Sequence, residues 1–365
     1  MKRERKAIAP AWSKISLIIL LLSIIIYILT ISNTQFADFI NGTASTALRW
    51  VLAKISNLLP TSIFEGLVIL LPLILVLSVI LLVRRARSLR SCLRVVCSIL
   101  GVISLLLTSY IFTLGVGYRT TPLSTRIGIE DRADASADEL YEVALLVRDE
   151  VNGYAGTLTV SDGQSVMPYS IEELNERLMS AYDSMNSEYG IVSTFDSRVK
   201  PVYFSTVMSD LRITGIYSFF TGEANVNVEY PDYTLPFTAA HELAHQRGIS
   251  RENEANFVAF LVTVSSDDDF IRYSGYLNLY EYLASALYRA DKELYYELAE
   301  GLCDEARDDM RASNAVYEAH KDSFLGELNE RLNDRYLQAN GTEGTVSYGY
   351  VVRLAIGYYQ KMTSE

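Results

Sequence analysis

Histidine and cysteine are both scarce in this sequence, which has only three of each among 365 residues. Cys92 and Cys97 lie in or beside an apolar region near the N-terminus, so Cys303 is the one cysteine in the rest of the chain. A single cysteine excludes a disulfide framework and a four-cysteine zinc site from that part. Any metal site there needs other ligands.

Positive charge is scarce beyond residue 116. Residues 1–116 carry 12 lysines and arginines against 3 acidic residues, a net charge of +9, whereas the whole chain has a net charge of −12. Residues 117–365 therefore carry a net charge of −21. A region this acidic repels the phosphate backbone of nucleic acids, so we expect no nucleic-acid partner.

Three long apolar runs are present in the N-terminal region. They cover residues 12–32, 63–83 and 95–116, and each has the length that a helix needs to cross a bilayer. The first run is too long for the core of a secretory signal, and no small-residue cleavage site follows it, so we expect it to be retained. Residues 1–116 are therefore predicted to form a membrane domain with three transmembrane helices.

Lysine and arginine in the short flanks of these runs predict their orientation. The start "MKRERK" and the loop 84–94 are strongly basic, whereas the segment between the first two runs has only Arg49 and Lys54. This bias predicts a multi-pass protein of the cytoplasmic (cell) membrane, with a cytoplasmic N-terminus and an extracytoplasmic C-terminal region. Residues 45–59 have one apolar helical face, which fits an interfacial helix or a helix packed on the spans.

The region beyond residue 116 has two parts. Residues 117–136 are polar and are predicted to be a linker, and residues 137–365 are predicted to be the extracytoplasmic domain. Helical patterns dominate this domain, for example over 137–152 and 170–189, the second of which begins with a capping box. Alternation in "TGEANVNVEY" predicts a strand with one buried face. The predicted fold class is α+β, with three N-terminal transmembrane helices followed by a mainly helical domain with a small β-sheet.

Two of the three histidines stand four residues apart in the stretch "TAAHELAHQRG". A helix over 239–247, ended by Gly248, places His241 and His245 one turn apart on the same face, where both imidazoles can hold one metal ion. Glu242 is rotated about 100° from His241, beside the metal. From there it can take a proton from zinc-bound water and return it to a leaving amine.

Two histidines do not complete a zinc site, which needs a third protein ligand. The remaining histidine, His320, lies far along the chain in the polar segment "YEAHKDSF", and we expect it on the solvated surface. The segment "RENEANFVAF" instead offers Glu252 and Glu254 within ten residues of His245.

HELAH and the E-x-E-A-N-F-x-A segment that follows it resemble the gluzincin branch of the zinc metallopeptidases. The whole layout is also similar to an uncharacterised family of bacterial membrane proteins that has a domain of unknown function, with three spans followed by HELAHQRG and EANF. The gluzincin resemblance implies a zincin-like domain that binds one Zn²⁺ ion. It also implies a glutamate on the next helix as third ligand, with an Asp or Asn one turn later.

Glu252 and Glu254 compete for the role of third ligand, since they point about 200° apart on a helix. Glu252 shares its face with Asn256, whose amide can hydrogen-bond and orient a zinc-bound histidine from behind. Glu254 shares a face with apolar residues and fits a buried acid or a cap partner. We favour Glu252 and keep Glu254 as the alternate ligand.

The resemblance further implies an edge strand that runs beside the cleft and pairs with the substrate backbone. The segment "ANVNVEY" lies where that strand is expected, so Asn225, Val226 and Asn227 are the substrate-strand candidates. An ordinary strand in a small sheet is compatible with the same residues. We also expect a tyrosine or arginine from "VSYGYVVRL" to donate to the oxyanion of the substrate.

The leading hypothesis is a membrane-anchored zinc metallopeptidase, an endopeptidase of the HExxH type acting on extracytoplasmic peptides or proteins with Glu242 as general base. The alternative is a non-catalytic zinc-binding sensor or scaffold at the cell surface. Glu242 favours the peptidase, because a binding module has no need of it. The polar residues around HELAH exclude proteolysis within the lipid.

Overall fold

The computed structural model describes residues 8–85 and 88–364. The basic start "MKRERK" and residues 86–87 of the basic loop, both used in the topology prediction, lie outside these ranges. The described residues are mostly helical, with one two-stranded and one three-stranded sheet. The predicted α+β class is confirmed.

The helices and strands of the described residues have the following bounds. The α-helices are α1 (Ala11–Ser32), α2 (Thr34–Ile40), α3 (Thr46–Ser56), α4 (Ile63–Arg85), α5 (Leu89–Thr113), α6 (Leu123–Ile127), α7 (Ala137–Ala155), α8 (Ile171–Tyr189), α9 (Ser205–Asp210), α10 (Thr234–Gln246), α11 (Glu252–Val264), α12 (Asp269–Ala290), α13 (Lys292–Glu300), α14 (Asp304–His320), α15 (Phe324–Ala339) and α16 (Val351–Ser364). The strands are β1 (Val160–Ser161), β2 (Gln164–Ser165), β3 (Val199–Pro201), β4 (Gly215–Ser218) and β5 (Glu223–Val226).

Helices α1, α4 and α5 are each long and apolar enough to cross a membrane, as predicted. The third begins at Leu89, six residues before the predicted start at 95, so it includes most of the basic loop 84–94. Small residues let α1 and α5 approach closely, since a Cβ on Gly101 would lie 2.8 Å from the Cβ of Ser13. The N-terminal region is therefore a group of candidate membrane helices.

Helix α3, in the predicted interfacial segment 45–59, presents two different faces. Val51, Ile55 and the following Leu58 are exposed, whereas Arg49 and Ala53 on the other face are buried. The apolar face is thus not covered by other described residues, and the polar face packs on the protein. The buried face also contacts a candidate span, because the Arg49 guanidinium donates to the Phe112 carbonyl near the end of α5, so features of both alternatives are present.

The segment 117–136 is packed into the domain, so the linker prediction is wrong. Its apolar residues Leu123, Ile127 and Ile129 are buried in the main core, two of them in the short helix α6. Their burial outweighs the polar character of the segment as a whole, because three buried apolar side chains suffice to hold a short turn of helix.

Helices α7 and α8 confirm the two predicted helices of the domain, and each begins with a capping box, Ser136 with Glu139 and Ser170 with Glu173. The later region is helical as predicted, but it is divided more finely. It contains helices α12 to α15, and at the break between α12 and α13 the Asp291 side chain caps α13.

Strand β5 lies in the middle of the three-stranded sheet, parallel to β3 and antiparallel to β4. Ala224 and Val226 are buried, but so are Asn225 and Asn227, so the prediction of one buried face is wrong. The side-chain amide nitrogens of both asparagines donate to backbone carbonyls of neighbouring segments, which compensates part of the cost of their burial.

A buried charge pair joins this sheet to the second candidate span. The Lys200 ammonium donates to the Glu223 carboxylate at 2.6 Å and to the Ser56 carbonyl at 2.7 Å. The same carboxylate accepts from the backbone N–H groups of Ile63 and Phe64, in the first turn of α4, at 2.9 and 2.7 Å. The pair is therefore fully hydrogen-bonded, as a buried pair must be to be tolerated.

Candidate metal centre

The helix that carries HELAH is α10, and every residue in it is buried. It begins at Thr234, five residues before the predicted start at 239, and ends at Gln246. Pro236 is compatible with this longer helix because it lies in the first turn, where backbone N–H groups have no partner within the helix. The helix places His241 and His245 one turn apart on one face.

A tight turn ends this helix. Gly248 has φ +97°, its N–H donates to the His245 carbonyl, and the Ile249 N–H donates to the Ala244 carbonyl, which together form a Schellman motif. The reversal brings the Ile249 carbonyl to 2.7 Å from Nδ1 of His245. A proton on Nδ1 donated to this carbonyl leaves Nε2 of His245 free to bind a metal.

Replacing Gly248 with alanine should destabilise the protein and weaken its metal binding. The added Cβ would lie 2.5 Å from Nη2 of the buried Arg49, at a backbone conformation that costs about 1–3 kcal/mol for other residues. The matched control is Gly153→Ala in α7, where nothing lies within 4 Å of the added Cβ. Thermal unfolding should show a lower melting temperature for Gly248→Ala than for the unsubstituted protein, and no decrease for the control. Equal melting temperatures for the two variants would contradict the role of the turn.

Glu252 is the first residue of α11, directly after this turn. Its Oε2 lies 3.3 Å from Nε2 of His241 and 3.3 Å from Nε2 of His245. The three side chains are buried, and their ligand atoms all lie within 4.8 Å of one another. Two donors each 2.0–2.1 Å from a tetrahedral ion are about 3.3–3.4 Å apart. The group could therefore hold a metal ion.

The charges of these three side chains are coupled. Burial opposes ionisation of Glu252, but the neighbouring His245 and His241 outweigh it and hold the pKa of the Glu252 carboxyl at about 2. Burial likewise opposes protonation of His245, but Glu252 outweighs it and raises the pKa of His245 to about 9. Metal binding must displace the proton held by His245, so it releases protons at neutral pH.

Glu254, the alternate ligand, lies elsewhere. Its Oε1 accepts from the backbone N–H of Leu123 and from Nη1 of Arg251, both at 2.9 Å. It thus caps α6, a helix other than its own, and pairs with an arginine. Of the two glutamates, the structure places only Glu252 with the histidines.

Asn256 is buried one turn after Glu252, but it does not orient a histidine. Its amide nitrogen donates to the Tyr282 hydroxyl at 3.1 Å and to the Tyr348 carbonyl at 3.3 Å. The orienting role that was expected of Asn256 belongs, for His245, to the Ile249 carbonyl, which lies 2.7 Å from Nδ1 of that histidine. In the described part of the chain, Nδ1 of the other histidine, His241, is a buried nitrogen without a hydrogen-bond partner.

Glu242 is buried beside the histidine pair and packed against strand β4. Burial raises the pKa of its carboxyl, while the two histidines and the Tyr217 backbone N–H lower it, and the net shift is upward. A Cβ on Gly215 would lie 2.7 Å from Oε1 of Glu242, so only glycine fits opposite this carboxylate. The close approach of β4 keeps the carboxylate in place.

The edge strands of the three-stranded sheet are β3 and β4, and β4 is the one beside Glu242, so the assignment of Asn225, Val226 and Asn227 to an edge strand is wrong. Strand β5 is paired on both sides and has no free edge. The Asn227 N–H donates to the Thr214 carbonyl. By antiparallel alternation, the backbone N–H and C=O groups of Gly215 then point away from β5.

A cavity of about 1310 Å³ includes these residues. Tyr348, from the predicted segment "VSYGYVVRL", lines it, and the Tyr348 hydroxyl accepts from Nδ2 of Asn333 at 3.4 Å. Burial and the nearby Glu252 carboxylate raise the pKa of Tyr348 well above its usual value, so the hydroxyl keeps its proton. Tyr282 also lines the cavity, and the sequence carries no signal for it among 25 tyrosines.

His320 is half-buried rather than solvated, which corrects the sequence-based expectation. Its Nδ1 lies 2.8 Å from Oδ1 of Asp210, and its Nε2 lies 3.5 Å from Oε1 of Glu229. The hydrogen bond to Asp210 raises the pKa of the imidazole. His320 is not a member of the group of possible metal ligands found among the described residues.

Comparison with known proteins gives one match at the level of families. The sequence model of a family described as "Protein of unknown function (DUF3810)" matches residues 43–356, which include α4, α5 and the whole metal centre. No curated protein and no solved structure matches the chain.

Proposed function

The chain belongs to the family of proteins of unknown function DUF3810, and we propose that it is a membrane-anchored zinc metallopeptidase. In this proposal it hydrolyses peptide bonds of peptides or proteins outside the cytoplasmic membrane. The observation that carries the proposal is the buried group of His241, His245 and Glu252 with the Glu242 carboxylate beside it. Two imidazoles, one carboxylate ligand and a neighbouring free carboxylate are the parts that this chemistry needs.

Zinc is the metal that suits these donors. Two histidine nitrogens and one carboxylate oxygen are a usual set for catalytic zinc, and three protein ligands leave one position for water or substrate. When bound, zinc acidifies a water molecule and polarises the substrate carbonyl. His241, His245 and Glu252 would hold it, and the Ile249 carbonyl would fix the ring of His245.

Glu242 moves the protons in this reaction. Its carboxylate accepts a proton from the attacking water, and burial makes this carboxylate more basic than an exposed one. The water oxygen bonds to the carbonyl carbon, the C–N bond breaks, and the proton passes to the leaving amine. The products are one new carboxylate and one new amine.

The free edge of β4 and the Tyr348 hydroxyl complete the proposed substrate site. The outward backbone groups of Gly215 can pair with an extended peptide, as in other β-augmentation sites. Tyr348 can donate its proton to the oxygen of the substrate carbonyl, because its own oxygen already accepts from Asn333. These residues bind and orient the chain that Glu242 helps to cleave.

Replacing Tyr348 with phenylalanine should lower kcat by about 10²–10³-fold, the usual effect of removing one oxyanion donor. Zinc content should not change, because the hydroxyl contacts none of the ligands directly. The matched control is Tyr350→Phe, since Tyr350 lies two residues further on and its hydroxyl bonds to Glu343. An unchanged kcat in Tyr348→Phe would assign the oxyanion donor to another group.

The test of the proposed function is metal analysis of the purified protein, combined with a peptide-library cleavage assay. The full chain in detergent is required, because Asn41 donates to the Gly248 carbonyl and Arg49 contacts the same turn. We expect one zinc ion per chain and cleavage that a chelator abolishes. Bound zinc without cleavage would favour the sensor or scaffold alternative, and absence of both would contradict the proposal.

A further inference from the structure

The cavity of the metal centre extends to the candidate membrane helices. Tyr27 of α1 and Tyr110 of α5 line it, together with Leu114, which directly follows α5. The cavity that contains His241 and Glu242 is therefore walled in part by helices that are long and apolar enough to cross a bilayer.

Both tyrosines lie near the helix ends that adjoin the domain. Tyr27 precedes the end of α1 by five residues and Tyr110 precedes the end of α5 by three, or about 8 and 5 Å along the helix. The Tyr27 hydroxyl accepts from Nη2 of Arg119, and the Tyr110 hydroxyl donates to Oδ1 of Asn340. Their polar ends thus bond to the domain, as expected of tyrosines at a membrane interface.

The turn that carries His245 rests on the end of α5. The Ser250 hydroxyl donates to the Leu114 carbonyl at 2.8 Å, and Ser250 directly follows Ile249, whose carbonyl holds His245. The two hydrogen bonds, added to the length of the path from the Ile249 carbonyl to the Ser250 hydroxyl, place Nδ1 of His245 within roughly 10 Å of the Leu114 carbonyl. The metal centre is thus close to the membrane end of the domain.

Exposed apolar groups also lie beside the start of α4. The backbone N–H groups of Tyr203 and Phe204 donate to the carboxylate of Glu65, in the first turn of α4. The Tyr203 residue is 87% exposed, and Leu58 between the first two spans is 80% exposed. Exposed aromatic and aliphatic side chains beside the start of a span fit a domain that rests on the bilayer surface.

We propose that the substrate is a membrane-tethered polypeptide, cut a few residues outside its point of attachment; this inference rests on the proposed peptidase function. A chain that leaves the bilayer beside α1 and α5 enters the cavity past Tyr27 and Tyr110 and reaches the metal centre. An extended chain covers about 3.3 Å per residue, so about three residues span 10 Å. The headgroup layer on one side of a bilayer adds roughly 5–8 Å to this path, so cleavage falls within about ten residues of the attachment point.

The reaction is the hydrolysis already described, so water is the sole co-reactant. The tether contributes by placing the scissile bond at the height of the metal centre, which saves the entropy of bringing a free peptide there. A lipid-anchored protein and the stalk of a transmembrane protein present the same extended backbone to this cavity.

The test uses the full chain in phosphatidylcholine liposomes and one randomised peptide library with a terminal cysteine. The library is left free, coupled directly to a maleimide phospholipid, or coupled through a 40-residue Gly/Ser spacer. Both coupled forms have the same concentration at the membrane, so they differ only in the distance from the bilayer. Glu242→Gln protein measures the background.

We expect the directly coupled library to be cleaved at least tenfold faster than the spacer form and the free form, with cut positions within about ten residues of the lipid. Equal rates for the coupled forms, or cuts scattered along the peptide, would overturn the tethered-substrate inference and leave the peptidase in place. Cleavage of none of the three forms above the Glu242→Gln background would instead overturn the proposed function, and the inference with it.

Discussion

Glu242→Gln protein should retain one zinc ion per chain and lose peptide hydrolysis by about 10²–10⁴-fold, the usual contribution of a general base. The amide fills the same space opposite Gly215 but cannot accept the proton of the attacking water. Because Glu242 is not among the three grouped ligands, its charge is not needed to hold the metal. The measurements are kcat/KM on a cleaved peptide and the zinc content of the same sample.

The matched control for this prediction is Glu281→Gln. Glu281 is a second carboxylate that lines the same cavity and is half-buried; desolvation raises the pKa of its carboxyl to about 7, and its Oε1 accepts from the Tyr233 hydroxyl at 2.8 Å. A carboxyl with a pKa of about 7 is neutral in about half of the molecules at pH 7, and Glu281 is not one of the grouped ligands, so we expect most of the activity to remain when it is replaced by an amide. Loss of activity in Glu281→Gln, with full activity in Glu242→Gln, would show that Glu281 and not Glu242 is the general base.

Glu252→Gln protein should lose its zinc, with an affinity reduced by more than about 100-fold, the upper end of the cost of removing an outer-sphere partner. The amide has no charge to balance the ion, and the imidazoles of His241 and His245 then provide only two ligands. Competition with a chelator of known affinity measures the loss. Hydrolysis should fall in proportion to bound zinc.

Glu254→Gln is the control, because this glutamate lies on the same helix and is equally buried. It should keep zinc but unfold at a lower temperature, since the change leaves the part-buried Arg251 without its carboxylate partner. Zinc bound fully in Glu252→Gln but lost in Glu254→Gln would show that the other glutamate is the ligand.

The histidine pair could be predicted from the sequence because its geometry is local. Four residues of helix fix the relative direction of His241 and His245, whatever the rest of the fold. The preference for Glu252 over Glu254 rested on Asn256 orienting a histidine, which the structure does not show, since Asn256 donates to Tyr282 and Tyr348 instead. The sequence did not show how the six residues after His245 bring Glu252 back to the histidines. That reversal depends on a Schellman turn that distant residues such as Arg49 stabilise.

Features that depend on contacts between distant segments escaped the sequence analysis. Alternation in "ANVNVEY" indicates a strand, but the order of strands in a sheet is not encoded in any one strand. The edge strand beside Glu242 is β4, and no local sequence pattern distinguished its Gly215. The segment 117–136 was likewise misjudged, because the burial of Leu123 depends on the N-cap that Glu254 supplies from another part of the chain.

The candidate spans were predicted with little error because length and composition alone define them. Their boundaries were less accurate. Helix α5 extends to Leu89 because the Ser88 side chain accepts from the Ser91 N–H, which caps a polar first turn that hydropathy does not reveal.

The cap that Glu223 provides to α4 has a consequence for biosynthesis. Ribosomes make Ile63 some 160 residues before Glu223, so the second candidate span is synthesised before the carboxylate that accepts from its first N–H groups. Lys200 and Glu223 find each other, and the start of that span, only when the later sheet folds. A substitution such as Glu223→Ala leaves the buried Lys200 charge without its carboxylate partner. We expect chaperones and proteases to remove the destabilised protein. Its cellular phenotype would be low abundance, whatever the competence of the metal centre.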